Sequence, residues 1–468
     1  MQQPENVILM SQDLPPPPAG AGAPTKGEGK RRKPKTDKPF DFGRLNTLMA
    51  DMVLIYGTLT AWDDDSRRIV AVNALRLAFG SDYVKSWLNA DGRRMVRPEQ
   101  IQFEPGRELD EPCINLFDGF AMEPVKGDCS PIMELLHHLC SESADSDTQV
   151  AEVMTWALRW LAMPLQRPGT KMRSALVFHG PQGAGKNLLF EIVAAIYGKY
   201  ALVVGQEQLE DKFNDWASQK LFLIGDEVVA RQELYHQKNK LKAFITGETI
   251  QINTKMMPLR TESNHVNVVF LSNEQQPLAL EVGDRRYFVV YTPPRRQDDL
   301  YKRVAACLRN GGAEAFMAYL MALDLGEFTE FDIPPMTRAK ADLIELGLKP
   351  HERFARDWIK GYLPLPLRVC STEQLYRAFT RWARNTGERF PPPQVTFSKG
   401  VEKVLRDKVR CKGVKLDVPV NGRAWLRMWI PGECRAPEGL TEGGWARSCV
   451  ESFEADLRDF GAGEGAPQ

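Results

Sequence analysis

Short, predominantly apolar runs recur through the middle of the chain, at Ser174 to His179, Leu221 to Ile224, Val266 to Leu271 and Tyr287 to Tyr291. Runs of this length without polar alternation suit strands buried on both faces, as in a parallel sheet covered by helices. Ahead of them, Val150, Val153, Met154, Ala157, Leu158 and Leu161 recur at helical spacing and predict a helix over 148–165, ending near Pro164 and Pro168. Ile132, Leu135, Leu136, Leu139 and Cys140 share one face of another helix. That apolar face favours a buried helix over a metal site built from Cys129, His137, His138 and Cys140.

The flanking regions read differently. Residues 1–38 carry Pro15 to Pro18 and a basic run with almost no large apolar side chain, and are expected to be disordered. Their cations suit a nucleic-acid backbone, although a solvated tail is the commoner outcome. Residues 39–145 suggest a small α+β domain, with Met52 to Thr60 as a strand and Val70 to Phe79 as a helix. Asp63, Asp64 and Asp65 read as a turn in preference to a metal site.

Ser371 and Gln374 have capping-box spacing and open a helix whose apolar face is Leu375, Tyr376, Phe379 and Trp382. A second helix over Val395 to Lys408 and a hairpin about Asn421-Gly422 complete a winged-helix outline over 346–432. In the tail, 433–468, Trp445, Cys449, Phe453 and Leu457 form one apolar stripe, expected to dock on the chain itself or in a partner's groove.

Composition adds bounds. With 468 residues, 43% hydrophobic and 26% charged, the chain can bury two or three cores. Lys plus Arg equal Asp plus Glu at 61 each, so any affinity for nucleic acid must come from local charge. From Gln394 to Arg427 nine cations face three acids, an excess that suits DNA phosphate, with Lys399, Lys403 and Arg406 as candidate contacts; a solvated helix face is the alternative. The eight cysteines include no C-x-x-C pair, so neither zinc nor a disulfide framework is expected. The absence of a long apolar run and of a signal pattern leads to the expectation of a soluble, cytoplasmic protein without a membrane partner.

The candidate chemistry begins where the strand at 174–179 runs into Gly180, Pro181, Gln182, Gly183, Ala184, Gly185, Lys186 and Asn187, then an apolar helix opening at Leu188. Strand, glycine loop and helix arrive in the order of a P-loop. Backbone N–H groups there turn toward phosphates and Lys186 reaches the outer ones. Position 187 is Asn where that motif expects Ser or Thr on magnesium, so Asn187 becomes an amide candidate for Mg²⁺ and the rate of hydrolysis is open. The strand at 221–224 ends in Asp226-Glu227: Asp226 suits a Mg²⁺ ligand and Glu227 a group that polarises attacking water, against the alternative of acids that merely cap a strand end. The strand at 266–271 ends at Asn273, either a γ-phosphate sensor or a turn cap. Arg285 and Arg286 are arginine-finger candidates, with an ion pair to Asp284 as the alternative.

Lys186, Asp226-Glu227, Asn273 and Arg285-Arg286, in this order, resemble the superfamily 3 helicases of viruses, phages and plasmids. Asn115 to Phe120, Trp160-Leu161-Ala162 and Phe213-Asn214 narrow the resemblance to the helicase part of phage and prophage primase-helicases, over about 40–430. The resemblance implies an AAA+-like α/β P-loop core over 146–345, between the small α+β domain and the winged helix. It implies ATP and Mg²⁺ as cofactors, a hexameric ring, and a β-hairpin over 242–265 gripping single-stranded DNA, with Lys255, Arg260 and His265 as contacts. The region before the core is too small for a primase, so priming is expected from a separate primase or polymerase. The expected activity is ATP-dependent DNA unwinding or translocation; the alternative is a DNA-binding switch or loader that turns ATP over slowly.

Overall fold

A computed structural model describes residues 40–227, 238–255, 259–278, 280–281, 283–405, 408–432 and 434–460; for 238–240 it describes the backbone alone. The expected disordered tail at 1–38 and candidate Arg406 lie outside these residues. The chain is mixed α/β and divides into two compact units, 1–96 and 97–468. The boundaries read near 145 and 345 both fall inside the second unit.

In the first unit, α1 (Phe42–Asp51) leads into β1 (Met52–Ile55), β2 (Thr60–Asp63) and β3 (Arg68–Ala71), then α2 (Val72–Phe79), α3 (Ser81–Asn89) and β4 (Arg94–Val96). The sheet order is β3-β2-β1-β4. The single strand expected over 52–60 is interrupted by a turn at Gly57, where φ is +76°, and becomes a hairpin. The helix expected from Val70 starts two positions later, because Val70 pairs with Ala61 in β3. Asp63 makes the turn by accepting from the N–H groups of Asp65 and Ser66.

The second unit opens with short β5 (Ile101–Gln102) and β6 (Ile114–Asn115), then α4 (Ser130–Cys140) and α5 (Asp147–Gln166), the latter capped by Ser146. Its centre is a five-stranded parallel sheet: β7 (Ala175–His179), β8 (Ala201–Val204), β9 (Phe222–Gly225), β12 (Asn267–Ser272) and β13 (Tyr287–Tyr291), in the order β13-β7-β12-β9-β8. The predominantly apolar runs are explained by burial on both faces. Leu176, Phe178, Ile224, Val269 and Phe288 meet α4, α5, α6 (Lys186–Tyr197), α9 (Leu300–Arg309) and α10 (Gly312–Ala322) on one side. Ala175, Val177, Leu223, Phe270 and Val289 meet α8 (Lys238–Thr246) and α11 (Arg338–Leu346) on the other. Between β8 and β9 runs α7 (Gln206–Glu210), and β10 (Thr249–Ile252) pairs with β11 (Arg260–Ser263) as an antiparallel hairpin.

The C-terminal module has its own core of Phe354, Trp358, Phe379, Phe397, Trp429, Phe453 and Leu457, each fully buried. It comprises α12 (Pro350–Ile359), β14 (Cys370–Ser371), α13 (Thr372–Asn385), α14 (Gln394–Leu405), β15 (Val409–Val420), β16 (Arg423–Pro431) and α15 (Glu442–Asp459). The expected tail stripe belongs to this module: Phe453 and Leu457 enter that core, and Ala446 and Val450 cover Val414, Leu416 and Met428 of the hairpin. Trp445 and Cys449 are only half-buried beside them, so the docked face is rotated from the one expected from the spacing. No helix among the described residues is long and apolar enough to cross a membrane.

Candidate functional site

The loop from Gly180 to Gly185 lies between the C-terminal end of β7 and the N-terminus of α6. Gly180 has φ +132°, and a Cβ there would sit 2.5 Å from the Thr292 carbonyl oxygen, so the loop tolerates no side chain against the segment following β13. Gly185 caps α6 at φ +104°, with the Leu135 side chain 2.8 Å from where its Cβ would stand. Ala184 is buried, Leu188 half-buried against the core, and Gln182 exposed.

Lys186, 4% exposed, turns its ammonium back over the loop and donates to the carbonyl oxygens of Gly180 at 2.8 Å and Pro181 at 2.9 Å. It also donates to Asn273 Oδ1 at 3.2 Å, joining the end of β12 to the loop. Burial lowers the Lys186 pKa, and the Asp226 carboxylate opposes that shift. At the end of β9, Asp226 Oδ2 accepts from Asn187 Nδ2 at 3.1 Å. The sheet order explains the convergence: β12 lies between β7 and β9, so three neighbouring strand ends carry the loop, Asn273 and Asp226.

Glu227 adopts φ +55°, a left-handed conformation that costs a non-glycine residue about 1 kcal/mol, and its N–H donates to Asp226 Oδ1. Both acids line a cleft of about 900 Å³ together with Asn273, Glu274, Glu207 and Glu210. Among the described residues no three His, Cys, Asp or Glu side chains gather closely enough to hold a metal ion by themselves, so a divalent cation at this wall would need phosphate and water oxygens as well. Asp226 with the Asn187 amide, turned to present its oxygen, offers the few hard oxygen donors that Mg²⁺ takes alongside phosphate and water. As placed, however, it is the Asn187 nitrogen that faces Asp226.

The arginine pair splits. Arg286 bonds back to Asp284, whose side chain is 1% exposed and needs a counter-charge, which is the ion pair given as the alternative to a finger. Arg285 is exposed and has no ion pair among the described residues.

The hairpin candidates also separate. Lys255 is exposed next to 256–258, which lie outside the described residues. Arg260 is tied to Glu262 at 2.7 Å, Thr254 Oγ1 and Ser218 Oγ. His265 is not at the tip but at the hairpin base, where Nδ1–H donates to the Gly169 carbonyl at 2.8 Å and Nε2 faces Glu104 at 3.6 Å. The imidazole there is half-buried and bonded, which corrects its expected place beside the hairpin tip. Lys399 and Lys403 are exposed on α14.

Sequence reasoning missed three groups beside the loop. His179 ends β7 with Nδ1–H donating to the Glu274 carbonyl, and burial lowers its pKa to about 4. Tyr301 donates its hydroxyl to the Ala184 carbonyl at 3.0 Å, and the Arg295 guanidinium stacks 4.1 Å from the Tyr301 ring centre. No local pattern marks Tyr301, which reaches the loop only because α9 packs against α4.

Residues 178–286 match a family of unknown function, DUF5906. Over 183 residues, 38% of this chain, the sequence is 33% identical to the DNA primase-polymerase of Nitratiruptor phage NrS-1. The chain spans about a quarter, 24%, of that relative's length. The fold is similar to the apo C-terminal region (305–718) of NrS-1, with TM-score 0.57 and 19% identity, covering 81% of this chain and 96% of that one. Two further structures of that region, at 18% and 20% identity and TM-scores of 0.58 and 0.56, have the same coverage.

Proposed function

We propose that the chain is a DNA-replication ATPase of the superfamily 3 type, a helicase or translocase that couples ATP hydrolysis to movement along DNA. The observation that carries this reading is the meeting of Lys186, Asn273, Asp226 and Asn187 around one glycine loop. The similarity to a phage DNA primase-polymerase supports DNA as the partner and replication as the setting.

On this reading the loop N–H groups and the α6 N-terminus receive the triphosphate, and Lys186 exchanges its two loop carbonyls for the outer phosphate oxygens. Asp226 and Asn187 would hold Mg²⁺, which would supply charge neutralisation. Glu227 orients and polarises the attacking water, and Asn273, already on the Lys186 ammonium, senses whether the outer phosphate is present. Arg285 is the remaining candidate for a cation supplied to a neighbouring subunit's site in a hexameric ring, and the C-terminal module is a winged helix contacting DNA. A second reading, a nucleotide switch or loader with slow turnover, is favoured by the Asn187 nitrogen occupying Asp226.

ATP hydrolysis measured with and without oligothymidine tests the proposal. Single-stranded DNA is expected to accelerate turnover, and Lys186→Ala to abolish it. Negligible, DNA-independent turnover by the wild-type chain would leave only the switch.

A further inference from the structure

The outer face of the β15–β16 hairpin carries an aromatic side chain that the fold does not use. Along β16, Arg423, Trp425, Arg427 and Trp429 alternate onto one face. Trp429 is fully buried in the module core, whereas Trp425, four residues nearer the turn, is 64% exposed. The opposite face is covered by α15, through Ala446 and Val450 on Leu416 and Met428. Trp425 therefore stands where that face emerges from the module core, on a hairpin anchored on its other side. Across the ladder it faces Lys415, and Arg427 faces Gly413, whose missing side chain leaves open space.

This face forms one wall of a groove of about 320 Å³. Val395, Ser398 and Lys399 of α14 and Thr372 at the start of α13 form the other. Arg423 is held by Glu373 at 2.7 Å and Arg427 by Glu402 at 3.1 Å, which fixes a guanidinium on each side of the indole. Lys399, Lys403 and Lys415 make no ion pair among the described residues. Lys399, Arg423 and Arg427 thus line the groove and Lys415 stands across the ladder from Trp425, four cations against the carboxylates of Glu373 and Glu402.

We propose that this groove is a single-stranded nucleic-acid site in which an unpaired base stacks on Trp425 while Lys399, Lys415 and the flanking arginines neutralise its backbone. An exposed indole between fixed cations offers a π-face and positive charge together, the combination that holds unstacked bases without sequence preference. Duplex DNA keeps its base faces stacked and leaves the indole without a partner. A protein interface would ordinarily deplete lysine at such a position.

The inference deepens the reading of the chain as a DNA-acting protein. Anisotropy of fluorescein-labelled oligothymidine on the full chain tests it, with a 5-iodouracil-substituted oligonucleotide photocrosslinked and mapped by mass spectrometry. Trp425→Ala is expected to weaken oligothymidine binding by at least about fivefold, the smallest effect of losing one stacked base. Trp425→Phe should retain most of the affinity, Lys399→Ala should flatten the salt dependence by roughly 0.7 in log–log slope, and the crosslink should map to Trp425. Unchanged thermal unfolding of the exposed-site variants excludes misfolding as the cause. Wild-type affinity in Trp425→Ala, equal loss of duplex binding, or crosslinks only elsewhere would overturn the proposal, the last leaving the groove to a protein partner. If DNA still stimulates ATP hydrolysis in that event, the broader function stands without this site.

Discussion

Asn187 and His179 bracket the glycine loop and pose opposite chemical problems. The Asn187 amide meets Asp226 through its nitrogen, so binding a metal there requires the amide to turn and give up a hydrogen bond of about 1 kcal/mol. Asn187→Ser presents a hydroxyl acceptor instead, and a severalfold higher kcat at saturating Mg²⁺ is expected in steady-state assays; an unchanged kcat would separate Asn187 from the metal. His179 is neutral and buried, with Nε2 unpartnered among the described residues and its ring edge-on to Tyr291 at 5.3 Å. Its folded pKa of about 4 lies below the unfolded value near 6.5, so the folded state binds fewer protons between these limits. The associated stability is complete above pH 6.5 and is lost as pH falls toward 4, by roughly 2 kcal/mol at pH 5. His179→Phe keeps the ring packing without the titration. Its melting temperature should fall less between pH 7 and 5 than that of the wild type, although His138 and His351, also lowered by burial, keep part of the slope.

Elements whose boundaries depend on local chemistry are legible in the order of residues alone. Ser371 and Gln374 form the capping box that their spacing announces: Ser371 Oγ accepts from the Gln374 N–H at 3.2 Å and Gln374 Oε1 from the Ser371 N–H at 3.1 Å. Ser371→Ala should cost about 1 kcal/mol, read as a lower urea midpoint with an unchanged m-value. Elements whose limits depend on strand pairing are less legible. Val70 has the same helical spacing whether or not β2 lies beside it, and the ladder with Ala61 claims it for β3. In α15, Trp445 and Val450 are both apolar, and only the position of the hairpin beneath determines that Val450 is the one covered.

For the whole molecule, the strand order β13-β7-β12-β9-β8 has functional weight because it sets three polar strand ends side by side. Arg285 follows from the same topology: it precedes β13, at the sheet edge beyond the loop-bearing strand, while its neighbour Arg286 is spent on Asp284. If Arg285 serves a neighbouring subunit, Arg285→Ala should bind ATP normally yet hydrolyse it at least about a hundredfold more slowly. Mixing inactive Lys186→Ala chains with inactive Arg285→Ala chains should then restore part of the turnover, because some interfaces regain both groups. Additive inactivity in the mixture would place Arg285 outside the site.

Glycine-loop spacing, apolar strand runs and helix caps are properties of consecutive residues, and for them the chain is its own sufficient description. Contacts between distant segments are another matter. Lys186 with Asn273, Asn187 with Asp226 and Tyr301 with Ala184 each depend on which strand or helix lies next to which. The same limit explains why His265 reads as a strand contact when only its neighbours along the chain are considered, whereas the Arg286–Asp284 pair, two residues apart, is already among the readings of the sequence. A side chain's partner is set by packing, and spacing along the chain does not encode the residue that arrives from across the fold.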